Sequence, residues 1–348
     1  MEEITIKDIA KLCGVGVSTV SRAINNHPDI NPETKQMIMD VIRLHGYVPN
    51  NSARNLKRSD AKCIAVLVKG LSNPFFTNMI KTIEFDIKKK KYSMVLHHVE
   101  FDEDEADVAL ELVKEKRLKG IIFLGGHFKH SEQKLAMLHV PFILSTVNCE
   151  PVSIEESKYS NISVDDETEM IRAVEYLIEN GHRKIALISA NLGDESIGKL
   201  RLSGYQKALK KHGIPYDENL VFPMDDNVES YSMENGYEVT KKMLSSGEDF
   251  TAICAISDSL AIGAIRALHD AGKRVPNDYS VMGFDGIELG KYITPSLSTV
   301  EQPVHTIARE TAKLLFDVIA GKKEHEHIVV PGKLVIREST RKIERREV

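Results

Sequence analysis

The residues best suited to reading a DNA base lie near the start of the chain, within positions 17–24. Helical spacing places Val20 and Ile24 on a buried stripe of this segment, so that neighbouring side chains point outward. The outward residues are Val17, Ser18, Ser21 and Arg22. An arginine such as Arg22 can donate two hydrogen bonds to guanine, and a valine such as Val17 can contact the methyl group of thymine. The pattern therefore predicts a surface that contacts bases in a major groove.

Three short helices are predicted to position this surface. Thr5 can cap a first helix that ends near Leu12, and Gly14 lies in a tight turn before the second helix. Asn31 and the proline after it start a third helix, which stops at Gly46. The expected buried residues are Ile6, Ile9, Ala10, Val20, Ile24, Ile38, Val41 and Ile42. Three helices with a glycine-bearing turn between the first two form a helix-turn-helix unit, whose second helix enters the major groove.

Charge is distributed unevenly along the chain. The 348 residues carry 46 Lys and Arg against 51 Asp and Glu, and the net charge of −5 alone argues against a nucleic-acid-binding protein. Residues 11–62, however, hold eight basic and four acidic side chains, an excess of +4, which leaves −9 for the rest. A basic head on an acidic remainder predicts salt-sensitive DNA binding through the head. The alternative for the three helices is a bundle with a solvated polar face.

A basic linker follows at residues 47–59. Asn50 can cap a helix that runs through Lys57, and a helix of about seven residues is only marginally stable in water, so we expect it to order against a partner. Its one large apolar residue is Leu56, which lies among arginines and lysines. Such a leucine suits a wedge inserted into a minor groove, although packing against the adjoining domain would also explain it.

From about residue 62 onward, strand-like apolar runs alternate with amphipathic helical segments. The runs begin at Ile64, Ser93, Gly120, Pro141, Lys184, Thr251 and Tyr279. Continuous apolar strands joined by helices indicate parallel sheets covered on both faces. Seven such strand-helix units are more than one sheet usually holds, which indicates two sheets. We therefore expect an α/β core of two doubly wound lobes, with a ligand cleft between the carboxyl ends of their strands.

Composition and spacing argue against several other classes of protein. The first twenty residues lack the basic start and apolar core of a signal peptide, and the longest apolar runs are strand-sized, so we expect a cytoplasmic protein without membrane contact. The four cysteines stand far apart without a CxxC pair, and we predict neither disulfides nor a metal or other cofactor. Residues 193–200 nearly match a phosphate-binding loop, but Leu200 replaces the hydroxyl residue that binds Mg²⁺, which favours a chance match. No pair of nucleophile and base stands out, so we predict no enzymatic activity.

Nine motifs spread along the chain belong to one recognisable pattern. They are TIKDIAKLCGVGVSTVSRAIN at 5–25, GYVPN at 46–50, ARNL at 53–56, SNPFF at 72–76, NGHRKIALIS at 180–189, RLSGY at 201–205, SDSLAIGAIRAL at 257–268, GFDG at 283–286 and VEQP at 300–303. Together they resemble the LacI/GalR family of bacterial transcriptional repressors. The resemblance implies a homodimer that binds a palindromic operator in double-stranded DNA and responds to a small effector. The implied fold is a small all-α helix-turn-helix head followed by an α/β core of two doubly wound parallel-sheet lobes, similar to periplasmic binding proteins.

The resemblance also implies domain boundaries and DNA contacts. The domains would be 1–48 for the helix-turn-helix, 49–61 for a hinge helix and linker, 62–160 with 295–324 for one lobe, and 161–294 with 325–341 for the other. Val17, Ser18 and Arg22 would read bases, and Leu56 of each subunit would insert at the operator centre. The full set implied to contact DNA is Thr5, Val17, Ser18, Thr19, Ser21, Arg22, Asn25, Asn50, Ala53, Arg54, Leu56 and Lys57.

An effector site between the lobes is implied in the same way. Its residues would be Phe75, Phe76, Thr146, Arg201, Tyr231, Ser257, Asp258 and Asp285. Aromatic faces stack on the C–H surface of a sugar, and Arg and Asp bind hydroxyl groups through charged hydrogen bonds, so we expect a sugar or sugar derivative. Alternatively, Arg201 and Asp285 form a buried ion pair that locks the lobes. A solute-binding protein and a two-lobed α/β enzyme are the other classes considered, and the DNA-binding head argues against both.

Three positions depart from the family pattern. Gly16 stands where the family usually has Ser at the cap of the second helix, which would remove a hydroxyl contact to phosphate. Thr146 replaces a frequent Asp, and the sequence DETE at 166–169 replaces Asn-x-x-Gly. These departures leave the identity of the effector open.

Overall fold

The computed structural model describes residues 4–47, 62–100, 102–126, 132–147, 158–191 and 196–343. The chain divides after Ala61 into two compact units, a helical head and a larger α/β part. The predicted hinge residues lie outside the described ranges: Asn50, Ala53, Arg54, Leu56 and Lys57. The expected hinge helix and its leucine wedge therefore stay predictions.

Residues 4–47 of the head form three helices: α1 (Ile6–Leu12), α2 (Val17–Ile24) and α3 (Pro32–Leu44). Gly14 has a φ of +65°, the left-handed conformation that the tight turn between α1 and α2 requires. The side-chain oxygen of Asn31 accepts hydrogen bonds from the backbone N–H groups of Glu33 (2.8 Å) and Thr34 (3.2 Å), so it caps α3. The predicted helix-turn-helix unit is confirmed.

Six apolar side chains form the buried core of the head: Ile9, Ala10, Val20, Ala23, Ile38 and Ile42. The predicted core residues Ile6, Ile24 and Val41 are only half-buried and pack against the edge of this core, because a unit of this size has little interior. Ala23, which the prediction omits, is fully buried on α2, the helix that contacts both of the others. On α2, the small Ala23 is therefore fully buried, and the large Ile24 is not.

The larger part contains two six-stranded sheets whose strands are joined by helices. The first lobe has strands β1 (Cys63–Lys69), β2 (Ser93–Val99), β3 (Leu118–Leu124), β4 (Phe142–Ser145), β5 (Ser160–Ser163) and β11 (His327–Val329), and helices α4 (Phe75–Lys89), α5 (Glu105–Glu115), α6 (Glu132–Ala136) and α11 (Val304–Ile319). Its strand order is β11-β5-β4-β3-β1-β2, and every pair is parallel. Helix α11 packs on α4 and on the strands of this sheet, which assigns it to the first lobe.

The second lobe repeats the same arrangement. Its strands are β6 (Ile185–Ser189), β7 (Val221–Pro223), β8 (Ala252–Ala255), β9 (Ser280–Asp285), β10 (Ser298–Glu301) and β12 (Lys333–Val335), its helices are α7 (Asp166–Glu179), α8 (Ile197–Lys211), α9 (Met233–Ser245) and α10 (Asp258–Asp270), and short 3-10 turns span Glu218–Leu220 and Glu288–Lys291. The strand order is β12-β10-β9-β8-β6-β7, so the first five strands of each lobe share one order. Only the edge strand β12 pairs antiparallel, with β10. The two doubly wound lobes expected from the sequence are confirmed.

Strand pairing corrects the predicted lobe boundaries in three places. Strands β5 and β11 pair in the first sheet, although the predicted boundaries put residues 161–163 and 327–329 in the second lobe. Strand β10 pairs with β9 in the second sheet, although residues 298–301 are predicted in the first lobe. The chain therefore crosses between the lobes after β5, β10 and β11. Short strands at a crossing carry no hydrophobic signal that says which sheet they join.

Candidate functional site

A cavity of about 340 Å³ lies between the two lobes, at the carboxyl ends of their strands. Lys69 ends β1, Gly125 follows β3, Thr146 follows β4 and Asp285 ends β9, and all four line the cavity. In the first sheet the winding order reverses between β1 and β3, and open α/β sheets bind ligands at such a point. The cavity therefore occupies the cleft that the sequence predicts.

Six of the eight predicted effector residues line this cavity: Phe75, Phe76, Thr146, Arg201, Tyr231 and Asp285. Phe75 and Phe76 begin α4, and their rings meet edge to face with centroids 5.2 Å apart. The side-chain oxygen of Asn73 accepts a hydrogen bond from the Phe75 N–H (3.1 Å), which fixes the start of the helix. The two rings form an apolar wall on which the C–H face of a sugar can stack.

Ser257 and Asp258, also predicted to contact the effector, are not among the described residues that line the cavity. The Ser257 hydroxyl caps α10 by accepting a hydrogen bond from the Leu260 N–H (3.3 Å). The Asp258 carboxylate is fully buried and accepts hydrogen bonds from the Thr299 hydroxyl (2.5 Å) and the Ile287 N–H (2.8 Å). Burial raises the pKa of Asp258 well above its usual value. Both side chains thus hold α10 in place, and their contact with an effector stays a prediction.

Arg201 is a fully buried arginine between two carboxylates. Its Nε and Nη2 atoms lie 2.9 Å and 2.7 Å from Oδ1 of Asp166, and its Nη1 atom lies 3.4 Å from Oδ1 of Asp285. Nη1 also donates to the backbone oxygen of Ile256, and the guanidinium carbon lies 3.7 Å from the ring centroid of Phe284. Arg201 and Asp285 thus belong to a buried ionic network that also borders the cavity.

Asp285 joins this network to the first lobe and to one of the crossings. Its Oδ2 atom accepts a hydrogen bond from the side chain of Asn73 (3.4 Å), which precedes α4. Its Oδ1 atom accepts a hydrogen bond from the side chain of Gln302 (2.9 Å), in the crossing after β10. A ligand that displaced either bond would change how the lobes are held together.

The network contains more negative than positive charge. Asp166 and Asp285 share the single guanidinium of Arg201, and Oδ2 of Asp166 is buried without a hydrogen-bond partner among the described residues. Burial raises the pKa of Asp166 to about 6, since the loss of hydration outweighs the attraction of Arg201, and the charges of Asp285 and Asp165 act in the same direction as burial. Burial also raises the pKa of Asp285. Both carboxyl groups therefore hold a proton more tightly than an exposed aspartate does.

We expect Asp166→Asn to remove part of the pH dependence of stability. Because its pKa is raised from 3.8 to about 6, the folded protein binds a proton that the unfolded chain releases, and the stability from this group is lost as pH rises through that interval. Asparagine stays neutral, so the free energy of unfolding of the variant should rise relative to the parent between about pH 4 and pH 7. Urea unfolding at a series of pH values measures this difference. Asp249→Asn, at a side chain 78% exposed, is the control, and parallel profiles for Asp166→Asn and the parent would contradict the prediction.

A second buried ion pair borders the cavity. Lys69 and Glu105, the first residue of α5, have side chains 6% and 4% exposed, with 3.5 Å between Nζ and Oε1. The Lys69 ammonium also donates a hydrogen bond to the backbone oxygen of Glu103 (2.7 Å). Gly126 makes room for the carboxylate, because a Cβ atom there would lie 2.3 Å from Oε1 of Glu105. The pair thus joins the end of β1 to the start of α5, beside the glycine that follows β3.

The head presents the predicted base-reading face to solvent. Val17 is 42% exposed, and Ser18 and Arg22 are exposed beside it on α2. The Arg22 guanidinium lies 3.6 Å from the carboxylate of Asp29, and both side chains are more than half exposed. An exposed ion pair of this kind is weak, so Arg22 can exchange it for a base at little cost.

The other predicted DNA contacts in the head lie at helix ends or along α2. Oδ2 of Asp8 accepts hydrogen bonds from the backbone N–H (2.9 Å) and hydroxyl (2.5 Å) of Thr5, which orders the start of α1. The side chain of Asn25 donates to the backbone oxygen of Ser21 (2.6 Å) at the end of α2. Thr19 and Ser21 are half-buried, and Thr5 and Asn25 are exposed.

Comparisons with known proteins agree with this geometry. Residues 5–50 match the model of the bacterial regulatory proteins, lacI family, and residues 174–340 match that of the periplasmic binding protein-like domain. The chain is 40% identical over 337 residues to the HTH-type transcriptional regulator MalR of Clostridium butyricum, which covers 96% of this chain and 98% of that protein. The chain belongs to the LacI family.

Two solved structures of transcriptional regulators with bound sugars share this fold. The transcriptional regulator CelR in complex with cellobiose is 28% identical, with a TM-score of 0.69 and coverage of 97% of this chain and 99% of that one. A LacI-family regulator from Enterococcus faecium with bound ribose is 30% identical, with a TM-score of 0.69 and coverage of 81% and 100%. As a LacI-family protein, the chain is a transcriptional regulator and not an enzyme. Within the described part of the chain, no helix is both long and apolar enough to cross a membrane.

Several cavity residues of this LacI-family chain escape prediction from the sequence. Asn73 and Gln302 lie inside quoted motifs, SNPFF and VEQP, but only the aromatic and charged residues near them suggested ligand contact. Asp166 draws attention as a departure from the family pattern, without a sign that it pairs with Arg201. Lys69 ends a buried strand, and a lysine in that position is the signal that could have identified it.

Proposed function

We propose that this LacI-family regulator represses transcription by binding a palindromic operator as a homodimer, and that a sugar in the cavity changes its operator affinity. The proposal is supported above all by the presence, in one chain, of an exposed helix-turn-helix face and a cavity with an aromatic wall beside a charged network. Phe75 and Phe76 suit the C–H face of a sugar, and Asp285 suits its hydroxyl groups. The cellobiose and ribose in the two neighbouring structures support the same ligand class.

Control of the operator requires coupling between the cavity and the head. A sugar that contacts both lobes would shift their relative position, and the proposed hinge helices at residues 49–61 would approach or part in response. Because a helix of that length is marginal alone, a coupling of about 1–3 kcal/mol would change operator affinity by about 5- to 150-fold. A regulator of this kind acts where the DNA is, so we propose a cytoplasmic location.

Exposed apolar side chains on both lobes support the dimer. Phe85 on α4 is 67% exposed and Tyr292 is 75% exposed, and Leu96 on the edge strand β2 and Leu289 also face solvent. A second cavity, of about 630 Å³, is lined by Lys81, one helical turn before Phe85, and by Leu289. Large apolar side chains at the surface are typical of subunit interfaces. A second copy on a two-fold axis would match the symmetry of a palindromic operator.

The test begins with an operator selected by the protein from a pool of random duplexes. Gel shifts then compare the selected duplex with a scrambled one, with and without cellobiose, maltose, glucose or ribose. We expect binding to the selected palindrome to be at least about 10³-fold tighter, two chains per duplex by native mass spectrometry, and a change of affinity with one of the sugars. Equal affinity for the two duplexes would contradict sequence-specific repression, and one chain per duplex would contradict the dimer.

Arg22→Ala is expected to relax sequence discrimination at one base pair of each half-site by about 1–3 kcal/mol. The variant loses the guanidinium that can donate two hydrogen bonds to guanine, while the exposed position leaves the fold unaffected. Binding to a panel of single base-pair changes in the selected operator measures the effect. Arg43→Ala, at an exposed arginine paired with Asp40 on α3, is the matched control. If Arg22→Ala keeps the sequence preference of the parent, Arg22 does not read a base.

A further inference from the structure

We propose that the cavity selects an uncharged sugar over its phosphorylated form, and that Glu105 maintains this selectivity by neutralising Lys69. The inference rests on the proposed sugar-binding function and adds the charge of the ligand. Two observations support it: carboxylates outnumber cations in the described lining of the cavity, and each of these cations already forms an ion pair with a carboxylate of the protein.

The described lining of the cavity carries more carboxylates than cations. The cations are Lys69 and Arg201, and the carboxylates are Glu100, Asp226, Glu229 and Asp285. Glu105 and Asp166 add two further carboxylates, each in contact with one of the two cations. A phosphate group entering this space would meet charges of its own sign, and like charges brought together at a binding site are strongly unfavourable.

Both cations are neutralised within the protein. Arg201 lies 2.7 Å from Asp166 and 3.4 Å from Asp285, and Lys69 lies 3.5 Å from Glu105. These side chains are nearly inaccessible to solvent, so a phosphate could gain a cation only by leaving one of the carboxylates buried and unpaired. A sugar hydroxyl makes no such demand, because it donates a hydrogen bond to a carboxylate and carries no charge.

The position of Glu105 is fixed by the local fold. It begins α5, where its negative charge complements the positive end of the helix. The adjacent Asp104 caps the helix through the Ala106 N–H (2.8 Å) and pairs with Lys134 (2.7 Å). Because Gly126 has no side chain, the Glu105 carboxylate can reach Lys69 from the start of α5. The local fold therefore holds the countercharge against Lys69, which lines the cavity.

The experiment measures the full-length protein by calorimetry and thermal shift with matched ligand pairs. The pairs are glucose and glucose 6-phosphate, maltose and maltose 6′-phosphate, cellobiose and cellobiose 6′-phosphate, and ribose and ribose 5-phosphate. For the sugar that binds, we expect the phosphorylated partner to bind at least about tenfold more weakly. Glu105→Gln removes this carboxylate from beside Lys69, and should reduce that ratio at least about tenfold. Glu111→Gln, an exposed position on the same helix, should keep the ratio of the parent.

Each other result overturns a distinct part of the proposal. Tighter binding of a phosphorylated sugar by the parent would overturn the charge selectivity and leave the proposed sugar response intact. Binding of neither member of any pair would overturn the sugar response itself. A Glu105→Gln protein that folds and keeps the parent ratio would remove Glu105 from the explanation. The double variant Lys69→Met with Glu105→Gln, which has no buried charge at this pair, should return to the selectivity of the parent, and a preference for phosphate there would also contradict the role assigned to Lys69.

Discussion

Arg201→Met is expected to lower the free energy of unfolding by about 3–5 kcal/mol and to abolish the response to the effector. The substitution removes the cation that Asp166 and Asp285 share, and leaves two buried carboxylates without a partner of opposite charge. It also removes the donor to the backbone oxygen of Ile256. Methionine fills much of the space, so the loss arises mainly from electrostatics and hydrogen bonding.

Urea unfolding measures this loss, and its pH dependence identifies the cause. As pH falls from 7 to 5, Asp166 and Asp285 take up protons more readily than exposed aspartates because their pKa values are raised, so the deficit of the variant should shrink. Arg201→Lys, which keeps the charge but loses the planar fork, should lose less stability. Arg266→Met, at an arginine 67% exposed and paired with Asp270, should lose at most about 1 kcal/mol. A deficit that stays constant or grows at low pH would contradict the electrostatic explanation.

Ile9→Ala is expected to abolish operator binding and leave the lobes intact. Ile9 is fully buried in a core of six side chains, and truncating such a residue costs about 2–5 kcal/mol. Domains this small seldom have more than about 3–5 kcal/mol of stability, so most of the head would unfold. The lobes form a separate compact unit whose core does not include Ile9, so we expect them to stay folded in the variant.

Gel shifts on the selected operator and calorimetry with the effector separate these two effects. We expect operator affinity to fall to that of nonspecific binding, while the affinity for the sugar and the main unfolding transition match the parent. Leu44→Ala removes a similar side chain that is 80% exposed in the same head, and should bind the operator as the parent does. Loss of sugar binding in Ile9→Ala would show that the two units do not fold independently.

The elements that the sequence predicted well are those with long, strong patterns. Helices α1 to α3 begin directly after the residues expected to cap them, Thr5, Gly16 and Asn31. The seven apolar runs match seven strands. Five further strands, β5, β7, β10, β11 and β12, have only three or four residues and, unlike the equally short β4 and β8, do not lie in a continuous apolar run. Their pairing depends on contacts that are distant in the chain, and this is why the lobe boundaries were misplaced.

Most of the predicted residues that line the cavity lie in family motifs, and Thr146 and Tyr231 are the two that do not. Phe75, Phe76, Arg201 and Asp285 lie in such motifs and line the cavity. The same transfer placed Asp258 at the ligand, although its carboxylate is used by Thr299 and Ile287. Which oxygen of a carboxylate meets which donor depends on the packing of two helices and a strand, and spacing along one chain does not contain that information.

The three crossings between the lobes are short, and this limits how the cavity can open. Two residues separate β5 from α7, two separate β10 from α11, and three separate β11 from β12. Gln302 in the second crossing bonds to Asp285, and the Gly332 N–H in the third donates to the buried carboxylate of Glu169 (3.0 Å). Such connections allow rotation about a few backbone torsions but little translation. The lobes can therefore open and close by a small change of angle but not by sliding apart, and under the proposed function it is this rotation that the ligand would control.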